Sequence, residues 1–227
     1  MRSSAAPFLR LPTGVFLSGK PKRVLPFGDS ITYGTGSTDG GGYRTWLQAC
    51  AAQDGKAIQF VGTQASGPSA FAGLGLNPAN EGHPGYTIAN TPVPQSGITE
   101  LVSTVIPATT PDIVLLHIGV NDVNYTAGLA TMLTRLDTLL GSLVTAAPST
   151  WIIVAQNTPY NFTSPEFATY IAGIPGLVAT RVGGGQKLRS CNMQTLFLSD
   201  LADSVHPNDS GYSKMGAIWY AAIKDLL

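Results

Sequence analysis

The chain carries little charge. Of its 227 residues only 11% are Asp, Glu, Lys or Arg, thirteen acidic against thirteen basic, and the formal net charge is zero. No basic stripe is available to a phosphate backbone, which speaks against nucleic acid as a partner. No polybasic or amphipathic segment offers an anchor to a membrane surface. No apolar run approaches the ~20 residues that span a bilayer. Cysteine is equally scarce, with Cys50 and Cys191 alone and no C-x-x-C or other metal-ligand spacing. Cys50 falls with Trp46 and Leu47 on the apolar side of an expected helix, where a cysteine is ordinarily a small core residue. A disulfide to Cys191 stays open, because sequence does not supply the separation that such a bond requires.

Other absences close further routes. Gly14-Val-Phe-Leu-Ser-Gly-Lys20 begins like a phosphate loop, but Pro21 stands where Ser or Thr is needed and no strand precedes it. Gly34-Thr-Gly36 has Asp39 in place of the third glycine of a dinucleotide fingerprint. There is no Gly-x-Ser-x-Gly elbow of the ordinary α/β-hydrolase type and no HExxH zinc pair. The start, Met1 to Arg10, is too short in apolar residues for a signal peptide. What is abundant is glycine and proline, 26 and 16 residues. With the low charge this fits a secreted enzyme. Asn124-Tyr-Thr126 and Asn161-Phe-Thr163 have the form of glycosylation acceptors, a triplet that also arises often by chance.

A chain of this length is an ordinary size for a single α/β domain. Residues 1–21 lack periodicity and read as an irregular lead-in to one domain over 22–227. Short apolar runs predict strands at Arg23–Phe27, Gln59–Gly62, Ile113–Ile118, Trp151–Gln156 and Thr195–Ser199. Continuous rather than alternating apolarity is the mark of parallel strands covered on both faces. Between Leu129 and Val144 the apolar residues fall on one helical face, as do Tyr212, Met215, Trp219, Ile223 and Leu226 in a last helix capped by Asp209 or Ser210. Strand–helix alternation predicts a doubly wound α/β fold with a mostly parallel five-stranded sheet between helices. Gly62 to Gln95 is a long loop rich in Gly, Pro and Asn, of the kind usually functional. Ile171 to Arg189 reads as broken by Pro175 and Gly183-Gly-Gly185.

Three segments that follow predicted strands carry chemistry. In Phe27-Gly-Asp-Ser30, Ser30 opens a short helix, where backbone N–H groups favour a developing anion; alone, such a serine is more often an ordinary cap. Among the three histidines, His117 sits inside an apolar strand and His83 in the long loop, where it can line a pocket. His206 has Asp203 three residues before it, a spacing that lets the carboxylate hold one ring nitrogen and leaves the other for a serine. In Gly119-Val-Asn121, the Asn121 amide can point into a site at the strand end, or can simply belong to an Asn-Asp turn.

These blocks, in this order, resemble the SGNH (GDSL-type) hydrolases. Gly42-Tyr-Arg-Thr-Trp-Leu47, Phe60-Val-Gly-Thr63 and Glu81-Gly-His-Pro-Gly-Tyr-Thr-Ile88 narrow the similarity to carbohydrate esterase family 3, the acetylxylan esterases, over residues 22 to 227. The resemblance implies a flavodoxin-like three-layer sandwich and a triad of Ser30, Asp203 and His206. It implies an oxyanion hole from the Ser30 N–H, the Gly85 N–H and the Asn121 amide, with Gly82 as the competitor of Gly85. It also implies catalysis without metal or organic cofactor. The expected substrate is an acetylated polysaccharide such as xylan, or a small acyl ester. Arg44, His83 and Tyr86 are candidates for the substrate pocket, although Arg44 can equally pin a loop carboxylate and Tyr86 can be a half-buried loop aromatic. The rivals are a lipase, lysophospholipase or thioesterase of the same superfamily, and a carbohydrate-binding module with a dead triad. The sequence does not give the oligomeric state, and a monomer is the default.

Overall fold

The computed structural model describes residues 18–90, 96–126 and 128–227. Most of the 1–21 lead-in and of the phosphate-loop-like stretch at its end therefore lies outside the described residues. Its last residues, from Ser18, already belong to the first strand. In chain order the elements are β1 (Ser18–Gly28), α1 (Ser30–Tyr33), α2 (Tyr43–Gln53), β2 (Lys56–Phe60), β3 (Gln64–Ala65), β4 (Ala70–Phe71), β5 (Leu74–Gly75), β6 (Ala79–Gly82), α3 (Val102–Thr109), β7 (Ile113–His117), α4 (Val120–Asn124), α5 (Met132–Ala146), β8 (Trp151–Gln156), α6 (Pro165–Gly183), β9 (Leu188–Asn192) and α7 (Asp209–Ile223). The fold is α/β with a mostly parallel central sheet. Its principal strands run β2-β1-β7-β8-β9, all parallel.

The apolar runs divide between two cores. Leu25, Phe27, Val114, Leu116, Ile152 and Val154 face the side covered by α3, α5 and α6. Val24, Ile113, Leu115, Ile153 and Ala155 face the side covered by α2 and α7, around the fully buried Trp219. Both faces of the central strands are covered, so the inner stretches of β1, β7 and β8 read as nearly uninterrupted hydrophobic segments.

Three expectations need correction. The fifth parallel strand is Leu188–Asn192, not Thr195–Ser199. As an edge strand with a half-exposed face it alternates and includes Arg189, whose guanidinium lies over Trp151 and pairs with Asp225. Thr195–Ser199 instead turns. Phe197 and Leu198 are exposed, and the Asp200 carboxylate bends the chain by accepting the Phe197 N–H at 2.8 Å. Second, Pro175 does not break its helix. The carbonyl four residues earlier, on Ile171, would lose its donor to a proline, and Gln156 Nε2 supplies a replacement at 3.1 Å. Third, the cap of α7 is Asn208, whose Oδ1 accepts the Gly211 N–H at 3.1 Å. Asp209 and Ser210 are used elsewhere, on Thr38 and Asp200. The question of a disulfide, open in the sequence, is answered by two free thiols, Cys50 and Cys191.

The long loop after β2 contributes structure of its own. β6 takes over the edge of β1 where β2 leaves it, pairing Glu81 with Phe27 and Gly82 with Gly28, and β3 adds an antiparallel turn outside it. β4 and β5 form a small separate hairpin. No helix of the described residues is long and apolar enough to cross a membrane.

Gly28 shows how closely the strands meet at the end that carries the site. A Cβ there would sit 2.1 Å from the His117 carbonyl oxygen and 2.5 Å from Thr32 Oγ1. Gly28→Ala is therefore expected to destabilise the protein by at least the ~1–3 kcal/mol of an overpacked core. Urea unfolding of the purified variant checks this, and a midpoint equal to that of the wild type would contradict it.

Candidate active site

Ser30, Asn121 and His206 all sit just beyond the carboxyl end of the sheet, where α/β sheets bind ligands. The chain leaves β1 at Asp29, whose Oδ1 caps the single turn of α1 by accepting the Ile31 N–H at 2.9 Å. The Ser30 N–H lies in the first turn, where no intrahelical acceptor exists. Its hydroxyl is 2.9 Å from His206 Nε2. His206 Nδ1 is 2.8 Å from Asp203 Oδ2, while Asp203 Oδ1 accepts the N–H groups of Val205 and His206, each at 2.8 Å. With Nδ1–H donated to the carboxylate, Nε2 is left to accept the Ser30 hydroxyl. Burial pushes the Asp203 carboxyl up, but the His206 and Val205 N–H groups and the His206 ring outweigh it, leaving the group below the ordinary carboxylate value. The three side chains that sequence placed 176 positions apart at the extremes are thus in one hydrogen-bonded line.

The histidine loop is tied from several directions. The Ala202 N–H donates to the His206 carbonyl at 2.8 Å, and the Asn161 N–H to Ser204 at 2.8 Å. The loop that follows α1 is bound to α7. Thr38 donates to Asp209 through its N–H and hydroxyl, and the Tyr212 hydroxyl donates to the carbonyls of Ile31 and Thr35. Gly36 fits because a Cβ there would strike the Pro207 carbonyl at 2.5 Å, with φ at +95°.

Asn121 opens α4 after Gly119, whose φ of +126° and contact with the Tyr170 ring admit only glycine. Its Nδ2 donates to the Tyr86 carbonyl at 2.9 Å, which leaves the second amide proton uncommitted by that bond. Tyr86 closes a turn over Pro84 and Gly85, its N–H donating to His83 O at 3.1 Å. Gly85 has φ +83°, as the third position of such a proline–glycine turn requires. The Gly82 N–H, by contrast, is committed to Asn80 Oδ1 at 2.9 Å.

The pocket candidates divide. Arg44 is 1% exposed, and its guanidinium donates to the carbonyls of Tyr33, Gly40, Gly41 and Ser66 and to the Ser66 hydroxyl. It holds the loop under the site and presents nothing to a substrate, a correction to its place among the pocket candidates. Nor does it pin a carboxylate; carbonyls do the neutralising. Tyr86 packs against the core and lies 4.7 Å from the His83 ring, the half-buried aromatic rather than an open platform. His83 is held by Glu81 at 2.6 Å. His117 is a packed strand residue. Burial lowers its pKa to about 4, and its neutral Nε2 accepts the Thr158 N–H at 3.3 Å.

Several residues at the site escaped the sequence reading. Tyr125 is 40% exposed, and its hydroxyl lies 3.4 Å from the position a Gly85 Cβ would occupy, at the rim. Asp122 is buried, bridges to Arg135 at 2.6 Å and accepts the Ile88 N–H at 3.1 Å, tying α4 to the Gly85 loop. Burial raises its pKa to about 6, with Arg135 opposing. Asp29 is fully buried, and burial raises it to about 7 despite the Ile31 N–H, with Asp122 pushing the same way. A run of carboxylates next to reactive residues was the available signal.

Comparison with known proteins shows the family. The GDSL-like lipase/acylhydrolase family model matches residues 27–214. A family 3 carbohydrate esterase from Clostridium thermocellum is 33% identical, with a TM-score of 0.78 over 91% of this chain and 97% of its own. A multidomain esterase of Ruminococcus flavefaciens is 31% identical over 223 residues, which is 90% of this chain but 29% of that relative's length. A family 3 carbohydrate esterase from Talaromyces cellulolyticus, 22% identical, shares the fold with a TM-score of 0.74 over 90% of this chain and 97% of its own.

Asp29 yields a test with a definite sign. Its folded pKa, about 7, lies above the ordinary 3.8 of an unfolded aspartate. Between those values the folded state holds a proton that the unfolded state has lost, so stability falls as pH rises, by at most about 1.4 kcal/mol per pH unit for this one group. Asn can cap Ile31 equally well. Asp29→Asn is expected to gain stability over the wild type progressively from pH 4 to pH 7 and then to hold a constant lead. Denaturant midpoints across that range check it; parallel curves for the two proteins would refute it.

Proposed function

Since the chain belongs to the GDSL-like lipase/acylhydrolase family and is an esterase of that type, we propose that it removes short acyl groups, acetyl above all, from oxygen esters on a polysaccharide such as xylan. The observation that carries the reading is a connected Ser30–His206–Asp203 line at an open surface. Asp203 is 56% and His206 23% exposed at the side chain, whereas Ser30 is only 7% exposed as a residue. The alcohol side can therefore be as large as a polymer, while the nucleophile lies recessed. A polymer substrate also places the enzyme outside the cell.

Ser30 Oγ attacks the ester carbonyl as His206 Nε2 takes its proton, and Asp203 fixes the ring tautomer. The carbonyl oxygen becomes an oxyanion held by the Ser30 N–H, the Gly85 N–H and the remaining Asn121 Nδ2 proton. Gly85 is preferred to Gly82 because the Gly82 N–H already has its acceptor. His206 returns the proton to the leaving alkoxide. A water deprotonated by His206 then attacks the acyl carbon, the bond to Ser30 Oγ breaks as the second oxyanion collapses, and His206 returns the proton to Ser30 as the acid leaves. The whole cycle runs on this chain's own groups.

Ser30→Ala and His206→Ala are each expected to lower kcat on the order of 10⁶-fold with the fold intact, since such residues act as a unit. Asn121→Ala is expected to cost roughly 10²–10³ in kcat with a smaller change in KM. Steady-state rates beside melting curves check both. Activity of Ser30→Ala within tenfold of wild type would remove the mechanism, whereas a wild type that forms no acyl-enzyme and turns over no ester would favour a binding role.

Acyl length separates an acetyl esterase from a lipase. An apolar trough gains about 0.8 kcal/mol per buried methylene, so a lipase improves with chain length. Catalytic efficiency on dissolved acetyl, butyryl and octanoyl esters of one alcohol is expected to fall along the series. Octanoyl exceeding acetyl would overturn the substrate and leave the serine mechanism standing. Acetate release from acetylated xylan tests the polymer directly.

A further inference from the structure

Glu81 has no part in the chemistry above, yet it is a buried carboxylate at the edge of the site. Its side chain is 1% exposed. A charge so placed needs partners, and it has three donors: the Thr63 N–H at 2.7 Å, the Thr63 hydroxyl at 2.9 Å and His83 Nε2 at 2.6 Å. Thr63 lies just past β2 and Glu81 in β6, so the carboxylate bridges the point where one strand replaces the other along β1. His83 is then held at three places. Its N–H donates to the Gly28 carbonyl at 2.9 Å, two residues before Ser30; its carbonyl closes the turn over Gly85; and its ring binds Glu81 and lies 4.7 Å from the Tyr86 ring.

We propose that Glu81 and His83 form a clamp that fixes the Gly85 turn relative to the nucleophile strand, with His83 a positioning residue for the oxyanion hole. This rests on the reading of Gly85 N–H as an oxyanion donor. Asn121 already holds the turn from its far side through the Tyr86 carbonyl, so the turn is gripped between two anchors. Donors of this kind act only when held within about 0.5 Å of the productive position. Complete loss of one costs roughly 10²–10³ in turnover, and a loosened one should cost less. A packing role alone would lower stability without discriminating between substrate and transition state.

The test compares His83→Phe, which keeps a ring against Tyr86 but cannot donate to Glu81, with His83→Gln, which keeps an amide donor. Thr63→Val removes one donor from Glu81 without touching the turn. Each is measured on a soluble acetyl ester and with an alkylboronic acid, which forms a tetrahedral adduct on a reactive serine. His83→Phe is expected to lower kcat about tenfold, to leave KM within about twofold, and to weaken the boronate in proportion to kcat. His83→Gln is expected to recover most of the loss, and Thr63→Val to show a smaller loss of the same kind. Folded His83→Phe with kcat and boronate affinity within about twofold of wild type would overturn the clamp. If His83→Phe does not fold, Thr63→Val decides, and wild-type kcat there overturns it. Failure of the underlying esterase reading looks different: Ser30→Ala stays active, or the boronate does not bind the wild type.

Discussion

At the carboxyl ends of β1 and β7, Gly28 lies opposite His117, with a carbonyl oxygen 2.1 Å from where a methyl would have to go. Three loops depart from that contact. One carries Asp29 and Ser30, one carries Asn121 from the end of β7, and the third is hung on the Gly28 carbonyl by the His83 N–H. Because parallel strands put all their carboxyl ends on one edge, residues far apart in the chain start their loops side by side. Glycine is required where those backbones touch, and the same holds at Gly82, where a Cβ would meet the Tyr33 nitrogen at 2.3 Å. The glycine richness of the chain is thus in part a requirement of the site.

Beneath the loops stand three buried acids, each handled differently. Glu81 receives three donors and Asp122 an arginine and a backbone N–H. Asp29 has one N–H on Oδ1 and no hydrogen-bond partner on Oδ2 among the described residues. An unsatisfied buried polar atom costs about 1–3 kcal/mol, more when charged, and the proton that burial adds to Asp29 near neutral pH relieves part of it. All three tie down backbone beyond the strand ends, Asp29 at Ile31, Glu81 at Thr63 and Asp122 at Ile88, that a sheet alone leaves unrestrained. Stability is given up where order at the reacting atoms is gained.

Much of the fold and the core of the site could be read from residue order. Two-faced burial leaves runs such as Ile113–His117 unbroken, and the Ser30 and Asn121 blocks each follow such a run, whereas the Asp203–His206 block follows the alternating edge strand β9 and a turn. What escaped reading lies where a tertiary partner overrides a local rule. β9 was missed because an edge strand need not be apolar, and Phe197-Leu198 misled because an exposed turn can be. Pro175 was read as a break because nothing local announces that Gln156 will serve the Ile171 carbonyl. Arg44 could not be assigned from sequence, since its acceptors are carbonyls, which every residue carries. Nothing local marks Glu81 or Asp122 as buried, because the groups that satisfy them stand 18 and 34 positions away.

The exposure of Asp203 raises the question of what aims His206. An exposed ion pair contributes only about 0–1 kcal/mol, too little to order a loop. The loop is ordered by backbone instead. An antiparallel bridge joins Leu201 to Pro207, Ala202 donates to the His206 carbonyl, and Asn208 donates to the carbonyls of Ser199 and Leu201 while capping α7. Asp203 is itself oriented by the N–H groups of Val205 and His206. Its carboxylate need not hold the histidine in place; it has only to select the tautomer that leaves Nε2 as acceptor. That task survives contact with water, because the competing tautomer would put Nδ1, unprotonated, against an anion at 2.8 Å. A Ser30–His206–Asp203 line aimed by its backbone can stand at an open surface, and an open surface is what the polymer substrate proposed above, too large to be enclosed, would demand.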